Sequence, residues 1–102
     1  MHARVLQFRI KPGKTEEFQQ AIESVLPKRR EEKGYCGLLV LRGGAEAPRD
    51  GWIIALWETL DDLRASEKGI TYYGALSKMM GTCEGMPSIV EQEVLLSDFK
   101  TV

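Results

Sequence analysis

Trp57 is the residue of this chain best suited to bind a flat ligand, because its indole offers a broad ring face and one N–H donor. Ile53 and Ala55 precede it at the alternating spacing of a strand, so the three side chains share one face. Ala55 is small and leaves room beside the indole. Two interpretations stay open: Trp57 fills the core under the helices, or it stacks on a ligand in a pocket next to Ala55.

Tyr72 and Tyr73 are a second source of chemistry, and on a helix they point about 100° apart. The apolar stripe predicted for this helix contains Tyr73 with Leu76 and Met80, which places Tyr73 in the core. Tyr72 falls beside that stripe with Met79. Its phenol could donate a hydrogen bond to a substrate carbonyl or act as a general acid–base, or its hydroxyl could simply lie in solvent.

Nucleophilic and metal chemistry find little support in the residue types. His2 is the only histidine, so Cys36 and Cys83 have no interior histidine with which to form a reactive thiolate pair. One histidine without a carboxylate cluster on a common face also argues against a metal site.

The elements that position these residues follow from hydrophobic periodicity. Strands are predicted at residues 3–11, 35–42, 52–58 and 88–99, and helices at 14–26, at 60–67 and from Ile70 onward. Pro27 is expected to interrupt the first helix, and residues 28–33 to form a solvated charged helix face. Thr59 begins a helix N-terminal box.

With the helices on either side of the pause at Lys68-Gly69 counted as one helical segment, the element order is β-α-β-β-α-β. This order predicts an α+β, ferredoxin-like fold with a four-stranded antiparallel sheet and both helical segments on one face. The strand at residues 52–58 is apolar on both faces, and residues 38–41 repeat this pattern. An apolar sheet face without helices needs another cover. A homodimer that pairs the two sheet faces is the simplest solution.

Length and composition predict one domain over residues 1–102. The formal net charge is -1, which argues against nucleic acid or an anionic membrane as a partner. No apolar run approaches the roughly 20 residues that span a bilayer, and the N-terminus lacks a signal-peptide pattern. With two cysteines in no disulfide pattern, we expect a cytoplasmic protein with reduced thiols.

Four short segments resemble the antibiotic biosynthesis monooxygenase-like domain of the dimeric α/β-barrel superfamily: residues 4–6 (RVL), 11–14 (KPGK), 34–37 (GYCG) and 57–63 (WETLDDL). The resemblance covers nearly the whole chain. It implies a ferredoxin-like protomer that pairs its sheet with a second protomer, often with a swapped C-terminal strand. Members oxidise aromatic polyketides with dioxygen and no cofactor, degrade heme, isomerise lactones, or remove reactive aldehydes and quinones.

The same resemblance assigns a few residues. Trp57 is similar in context to the pocket tryptophan of the family, and Tyr72 or Tyr73 matches its aromatic hydroxyl. The pocket asparagine has no counterpart because the chain contains no asparagine, and Gln7 is the nearest stand-in. The axial histidine of the heme degraders is also unmatched, since His2 lies at a terminus expected to be loosely held. Heme degradation is therefore not expected.

We thus expect a homodimeric α/β barrel with a small apolar pocket between sheet and helices, and with neither a cofactor nor a metal. As an enzyme it would be a cofactor-independent monooxygenase of a small flat aromatic or quinol-type substrate, which can itself reduce dioxygen once deprotonated. The alternative is a non-catalytic dimeric small-molecule-binding or stress-response protein. Trp57 and Tyr72 are the catalytic candidates, and the predicted substrate-binding residues are Gln7, Ile22, Ala55, Trp57, Tyr72 and Met79.

Overall fold

A computed structural model describes residues 1–100 as an antiparallel four-stranded sheet with three helices on one face. The elements are β1 (His2–Arg9), α1 (Thr15–Arg29), β2 (Tyr35–Arg42), β3 (Asp50–Trp57), α2 (Leu60–Ser66), α3 (Ile70–Thr82) and β4 (Ser88–Glu93). The strand order β2-β3-β1-β4 confirms the predicted ferredoxin-like α+β fold. Within these residues no helix is both long and apolar enough to cross a bilayer. Residues 101–102 of the predicted domain lie outside the described residues.

The two-faced apolar run forms the central strand β3, which pairs with β1 on one side and β2 on the other. Ile53, Ala55 and Trp57 face the helices and are buried, and Trp57 has no exposed surface. Trp52 and Ile54 lie on the other face and are partly exposed. The predicted parity of this strand is therefore confirmed.

The predicted N-terminal box of α2 is also confirmed. The backbone N–H of Asp62 donates to Thr59 Oγ1 at 3.0 Å, which satisfies one of the free donors of the first turn. Directly before the cap, the backbone N–H of Glu58 donates to the carbonyl of Gly34 at 2.8 Å. These bonds fix α2 against the end of β3 that carries Trp57.

The helix predicted to stop before Pro27 continues to Arg29, so this boundary is wrong. Proline removes one helical N–H, but only two residues of the helix follow it, so the cost stays local. The interpretation of residues 28–33 as a solvated face is wrong at one position. Arg29 is only 5% exposed, because the last turn of α1 directs its side chain into the space between the helices and the sheet.

Helix α3 turns a different face to the sheet than predicted. Tyr73 was assigned to the core but is 62% exposed, and Met80 and Ile70 are exposed with it. Met79 is buried instead, and Tyr72 is partly buried. Both stripes of α3 are apolar, so periodicity could not decide between them; packing against α1 does.

The last strand is shorter than the predicted 88–99 and ends at Glu93. Its partner β1 begins at His2, which lies opposite Glu93. Val94 makes one last bond, from its N–H to the carbonyl of Met1 at 2.9 Å. Beyond it Leu95, Leu96 and Phe99 are exposed.

Gly34 gives a test of how tightly α2 is fixed to the start of β2. Its φ is +78°, and an added Cβ would meet the carboxyl group of Asp62 and lie 2.8 Å from the Asp62 Cβ. Gly13 has a similar φ of +75° but open space around it. We expect Gly13→Ala to lower the free energy of unfolding by about 1 kcal/mol and Gly34→Ala by about 2–4 kcal/mol in urea titrations. Equal losses would show that α2 moves aside freely.

Candidate functional site

The guanidinium of Arg4 lies between the ring of Trp57, on the sheet, and the ring of Tyr72, on α3. Its Cζ is 4.6 Å from the Trp57 ring centroid and 4.5 Å from that of Tyr72. The side chain is 2% exposed, so two π faces replace much of the hydration of the cation. A planar group therefore already occupies the slot in which a flat ligand was predicted to stack on Trp57.

The C-terminal end of α2 supplies the polar partners of Arg4. Its Nη1 donates to Ser66 Oγ at 3.1 Å and to Glu67 Oε1 at 3.3 Å. Ser66 in turn donates to the carbonyl of Leu63 at 2.6 Å. Within residues 1–100, the Nε and Nη2 atoms of Arg4 donate no hydrogen bond, so about three of the five N–H groups of its guanidinium have no partner there.

A second buried guanidinium, that of Arg29, lies close to the same rings. Its Cζ is 5.8 Å from the Trp57 ring centroid and 5.9 Å from that of Tyr72. Its Nη1 donates to both carboxylate oxygens of Glu32, at 3.1 and 3.2 Å. Burial lowers the pKa of Arg4, and the positive charge of Arg29 lowers it further. Two like charges thus share a region of low dielectric constant.

Both arginines border a small cavity of about 40 Å³ between the sheet and helices α1 and α3. The other walls are largely apolar. The residues around it are Arg4, Leu6, Ile22, Val25, Arg29, Leu38, Ile53, Ala55, Tyr72, Ala75, Leu76 and Met79. This volume suits one or two water molecules, whereas a cavity that admits benzene is about 150 Å³. The described conformation is closed to an aromatic ligand.

A larger groove of about 400 Å³ lies on the outer side of this cavity, between α1 and β2. Ile22 and Leu38 border both spaces and so form the partition between them. Its floor is apolar, with Phe8, Phe18 and the exposed Val40 among the lining residues. This volume is within the range of small-molecule pockets.

The structure brings together four of the six predicted binding residues, since Ile22, Ala55, Tyr72 and Met79 all border the small cavity. Trp57 lies behind Arg4 and does not border it.

Gln7 lies on the opposite face of the sheet, opposite Trp52 and Ser88 in the strand ladders. It alternates with the buried Leu6 and Phe8, so its side chain must point away from the helices. The asparagine stand-in is therefore remote from the cavity.

Sequence reasoning missed Arg4 and Arg29. A signal for Arg4 was present, because it shares strand parity with Leu6 and Phe8, and a charge on a core-facing position asks for an explanation. Arg29 gave no such signal, because the helix was expected to end before it.

The expectation that His2 is loosely held is wrong. His2 pairs with Trp57 on one side and with Glu93 on the other, so β1 holds it in the sheet. His2 Nδ1 and Trp57 Nε1 are both buried, and neither has a hydrogen-bond partner within the described part of the chain. The Nε1–H group of Trp57 is thus a donor without a partner among the described residues.

The titratable groups of the site favour hydrogen bonding over nucleophilic attack. Burial raises the pKa of Tyr72, an effect that Arg4 partly offsets, so Tyr72 remains a neutral phenol that can donate. Burial also raises the pKa of Cys36 and of Cys83, which keeps both as thiols. In the described residues, no group of three or more His, Cys, Asp or Glu side chains could hold a metal ion.

The two adjacent tyrosines test the contact between Arg4 and the rings. Tyr72→Leu removes one π face from a buried cation and should lower the free energy of unfolding by about 1–2 kcal/mol in denaturant titrations. Tyr72→Phe keeps the ring and should cost less than about 0.5 kcal/mol. Tyr73→Leu is the matched control on the exposed face and should also stay below about 0.5 kcal/mol. A larger loss for Tyr73→Leu than for Tyr72→Leu would contradict the observed rotation of α3.

Solved structures with this fold include putative antibiotic biosynthesis monooxygenases. One from Nitrosomonas europaea superposes with a TM-score of 0.79 at 19% identity, over 94% of this chain and 100% of that one. One from Caulobacter crescentus CB15 gives 0.79 at 20% identity, over 93% and 90%. SnoaB, a cofactor-independent oxygenase from Streptomyces nogalater, gives 0.80 at 14% identity, over 94% of each chain. At these identities the similarity establishes the fold alone.

Sequence comparison adds the family. No curated protein is similar enough in sequence to match the chain. The family model described as antibiotic biosynthesis monooxygenase matches residues 1–72, which contain β1 to α2 and reach Tyr72 in α3. This span includes Arg4, Arg29 and Trp57. The chain belongs to the antibiotic biosynthesis monooxygenase family.

Proposed function

We propose that this protein is a cofactor-independent monooxygenase of a small flat aromatic or quinol-type substrate. Family membership and the shared fold of the oxygenase SnoaB support this proposal. The observation that carries it is the placement of two buried guanidiniums, Arg4 and Arg29, on an otherwise largely apolar cavity. Positive charge in a site of low dielectric constant stabilises the phenolate or enolate form of such a substrate.

The anion is the form that reacts with dioxygen. A deprotonated electron-rich ring can pass an electron to dioxygen, after which the two radicals combine on the ring carbon. For an anthrone-like substrate, the CH₂ carbon becomes a carbonyl. One oxygen atom of dioxygen enters the product, and the other leaves as water with the two hydrogen atoms from that carbon. The protein binds, desolvates and orients the reactants.

The residues divide this work. Tyr72 would donate a hydrogen bond to a substrate oxygen, and Arg4 and Arg29 would hold the negative charge. Trp57 holds the guanidinium of Arg4 in place from behind. Substrate entry requires the cavity to open, and Met79 is the lining side chain whose flexibility favours this.

The alternative is a non-catalytic small-molecule-binding or stress-response protein of the same fold. The cavity of about 40 Å³ and the filled slot between Trp57 and Tyr72 favour this second function. Turnover separates the two functions, because a binding protein needs no reaction with dioxygen.

We also propose that residues 1–102 form one domain and that two copies pair through the sheet face that carries no helices. Exposed or partly exposed apolar side chains cover this face: Val5, Leu39, Leu41, Trp52, Ile54 and Val90. An apolar surface of this kind favours association over exposure to water.

The cellular compartment that we propose is the cytoplasm, because a reducing environment suits the free thiols of Cys36 and Cys83.

Oxygen uptake with anthrone and with a simple quinol tests the enzymatic proposal. We expect turnover by the wild type and a loss of about tenfold or more in Trp57→Phe and Tyr72→Phe, which corresponds to about 1.4 kcal/mol of transition-state stabilisation. Trp52→Phe and Tyr73→Phe are matched controls on other faces and should keep wild-type rates. Equal rates in all five proteins would remove the site assignment, and no uptake above the protein-free rate would favour the binding protein.

Light scattering and sedimentation test the dimer. Leu39→Glu and Leu41→Glu place charges on the open sheet face at exposed positions, so the protomer should still fold. We expect the dissociation constant of the dimer to rise at least tenfold in each variant, because a charge must then be desolvated in the interface. Ile70→Glu is the control, since Ile70 is 89% exposed on α3. A monomeric wild type, or a dimer that only Ile70→Glu weakens, would refute the interface.

A further inference from the structure

The free donor edges of Arg4 and Arg29 indicate a ligand that the proposed reaction does not specify. In each guanidinium, Nη1 alone donates to a described residue: to Ser66 and Glu67 from Arg4, and to Glu32 from Arg29. The remaining N–H groups belong to two side chains that are 2% and 5% exposed. The fully buried atoms without a partner in the described residues are His2 Nδ1 and Trp57 Nε1, so the unpaired guanidinium nitrogens keep some accessible surface. Both arginines border the cavity, where these N–H groups can donate to an acceptor.

Shape and charge favour a carboxylate as that acceptor. A guanidinium stacked between two rings donates only around its edge, and this planar edge matches a planar carboxylate. The two cations are already paired with two carboxylates, those of Glu67 and Glu32, so the free N–H groups rather than excess charge would hold an anion. A singly charged group costs less to desolvate in this site than a doubly charged one. The small cavity also has room for a group of carboxylate size but not for a ring.

The groove between α1 and β2 accommodates the remainder of such a ligand. It lies directly across the partition formed by Ile22 and Leu38, and its volume of about 400 Å³ admits a bicyclic ring system. Phe8, Phe18 and Val40 are among its apolar lining residues, and its polar ones are Thr15, Gln19, Glu23 and Arg42. A shift of the two partition side chains would join the groove to the cavity that holds the arginines.

We propose that the site binds a flat organic acid, with its carboxylate against Arg4 and Arg29 and its apolar body in the groove between α1 and β2. The inference concerns the same site as the proposed monooxygenase and names the class of its ligand. It requires no turnover, so binding and catalysis can fail independently.

Calorimetric titration with 2-naphthoate and its neutral analogue 2-naphthamide tests the carboxylate. Both probes share the ring system, and only the acid carries a charge at pH 7. We expect the acid to bind the wild type at least tenfold more tightly than the amide. Arg4→Gln and Arg29→Gln should each reduce this preference at least fivefold, whereas Arg64→Gln, which alters an exposed arginine of α2, should leave it unchanged. Inorganic phosphate at the same concentration should not displace the acid.

The Glu67→Gln variant separates a direct role of Arg4 in binding from a loss of affinity caused by a disturbed fold. This variant keeps Arg4 but weakens its competing partner, so 2-naphthoate should bind severalfold more tightly. Val40→Gln tests the groove and should weaken 2-naphthoate more than the smaller benzoate. Thermal unfolding curves show which variants are folded, and Arg29→Gln and Glu67→Gln decide the result if Arg4→Gln does not fold.

Equal affinity of the wild type for acid and amide, an unchanged preference in the folded arginine variants, or displacement by phosphate would each overturn the inference. Absent binding of both probes would also overturn it. If 2-naphthoate binds as expected while no aromatic or quinol substrate consumes dioxygen, the proposed monooxygenase fails and the acid site stands. If dioxygen is consumed without a preference for the acid, the monooxygenase stands and the acid site fails.

Discussion

A buried guanidinium is costly unless neighbouring groups compensate its charge, and for Arg4 these groups come from three other elements. Arg4 itself is on β1. Ring faces come from Trp57 on β3 and Tyr72 on α3, and polar partners come from Ser66 and Glu67 at the end of α2. An unpaired charge at this depth would cost several kcal/mol. Arg4 therefore links the sheet to both α2 and α3.

The same interaction determines what the site can accept. Because the guanidinium fills the space between the two rings, a flat ligand cannot stack on Trp57 unless Arg4 moves away. The proposed organic acid would come from the side of Ile22 and Leu38, which border both the groove and the cavity, and would reach the arginines without displacing Arg4 from the two rings. In this conformation the indole contacts the guanidinium of Arg4, so its ring face is not free for a substrate.

The central strand β3 links this site to the proposed interface. Its inner residues Ile53, Ala55 and Trp57 carry the core and the wall of the site, and its outer residues Trp52 and Ile54 lie on the helix-free face. The two sets alternate along one backbone, so a change in register would exchange them.

The sequence by itself determined the type of most elements, because the patterns that define them are local. These patterns are the alternation of β1, the two-faced apolar run of β3, the cap at Thr59 and the break before Ile70. It also located Ile22 and Ala55 at the cavity, because their inward positions follow from the periodicity of α1 and β3. Tyr72 and Met79 were named as binding candidates beside the predicted stripe of α3, and only packing turned them inward. The resemblance to the family was likewise carried by short local segments.

Only the tertiary structure decided which of two apolar stripes of α3 packs inward, that α1 continues past Pro27, and that β4 ends with its partner strand. These outcomes depend on contacts between elements distant in sequence. The pair of Arg4 and Arg29 belongs to the same class, since a buried charge becomes tolerable only when rings and carboxylates from other elements surround it. Periodicity assigns a residue to a face, but the neighbours that compensate a charge exist only in the folded chain.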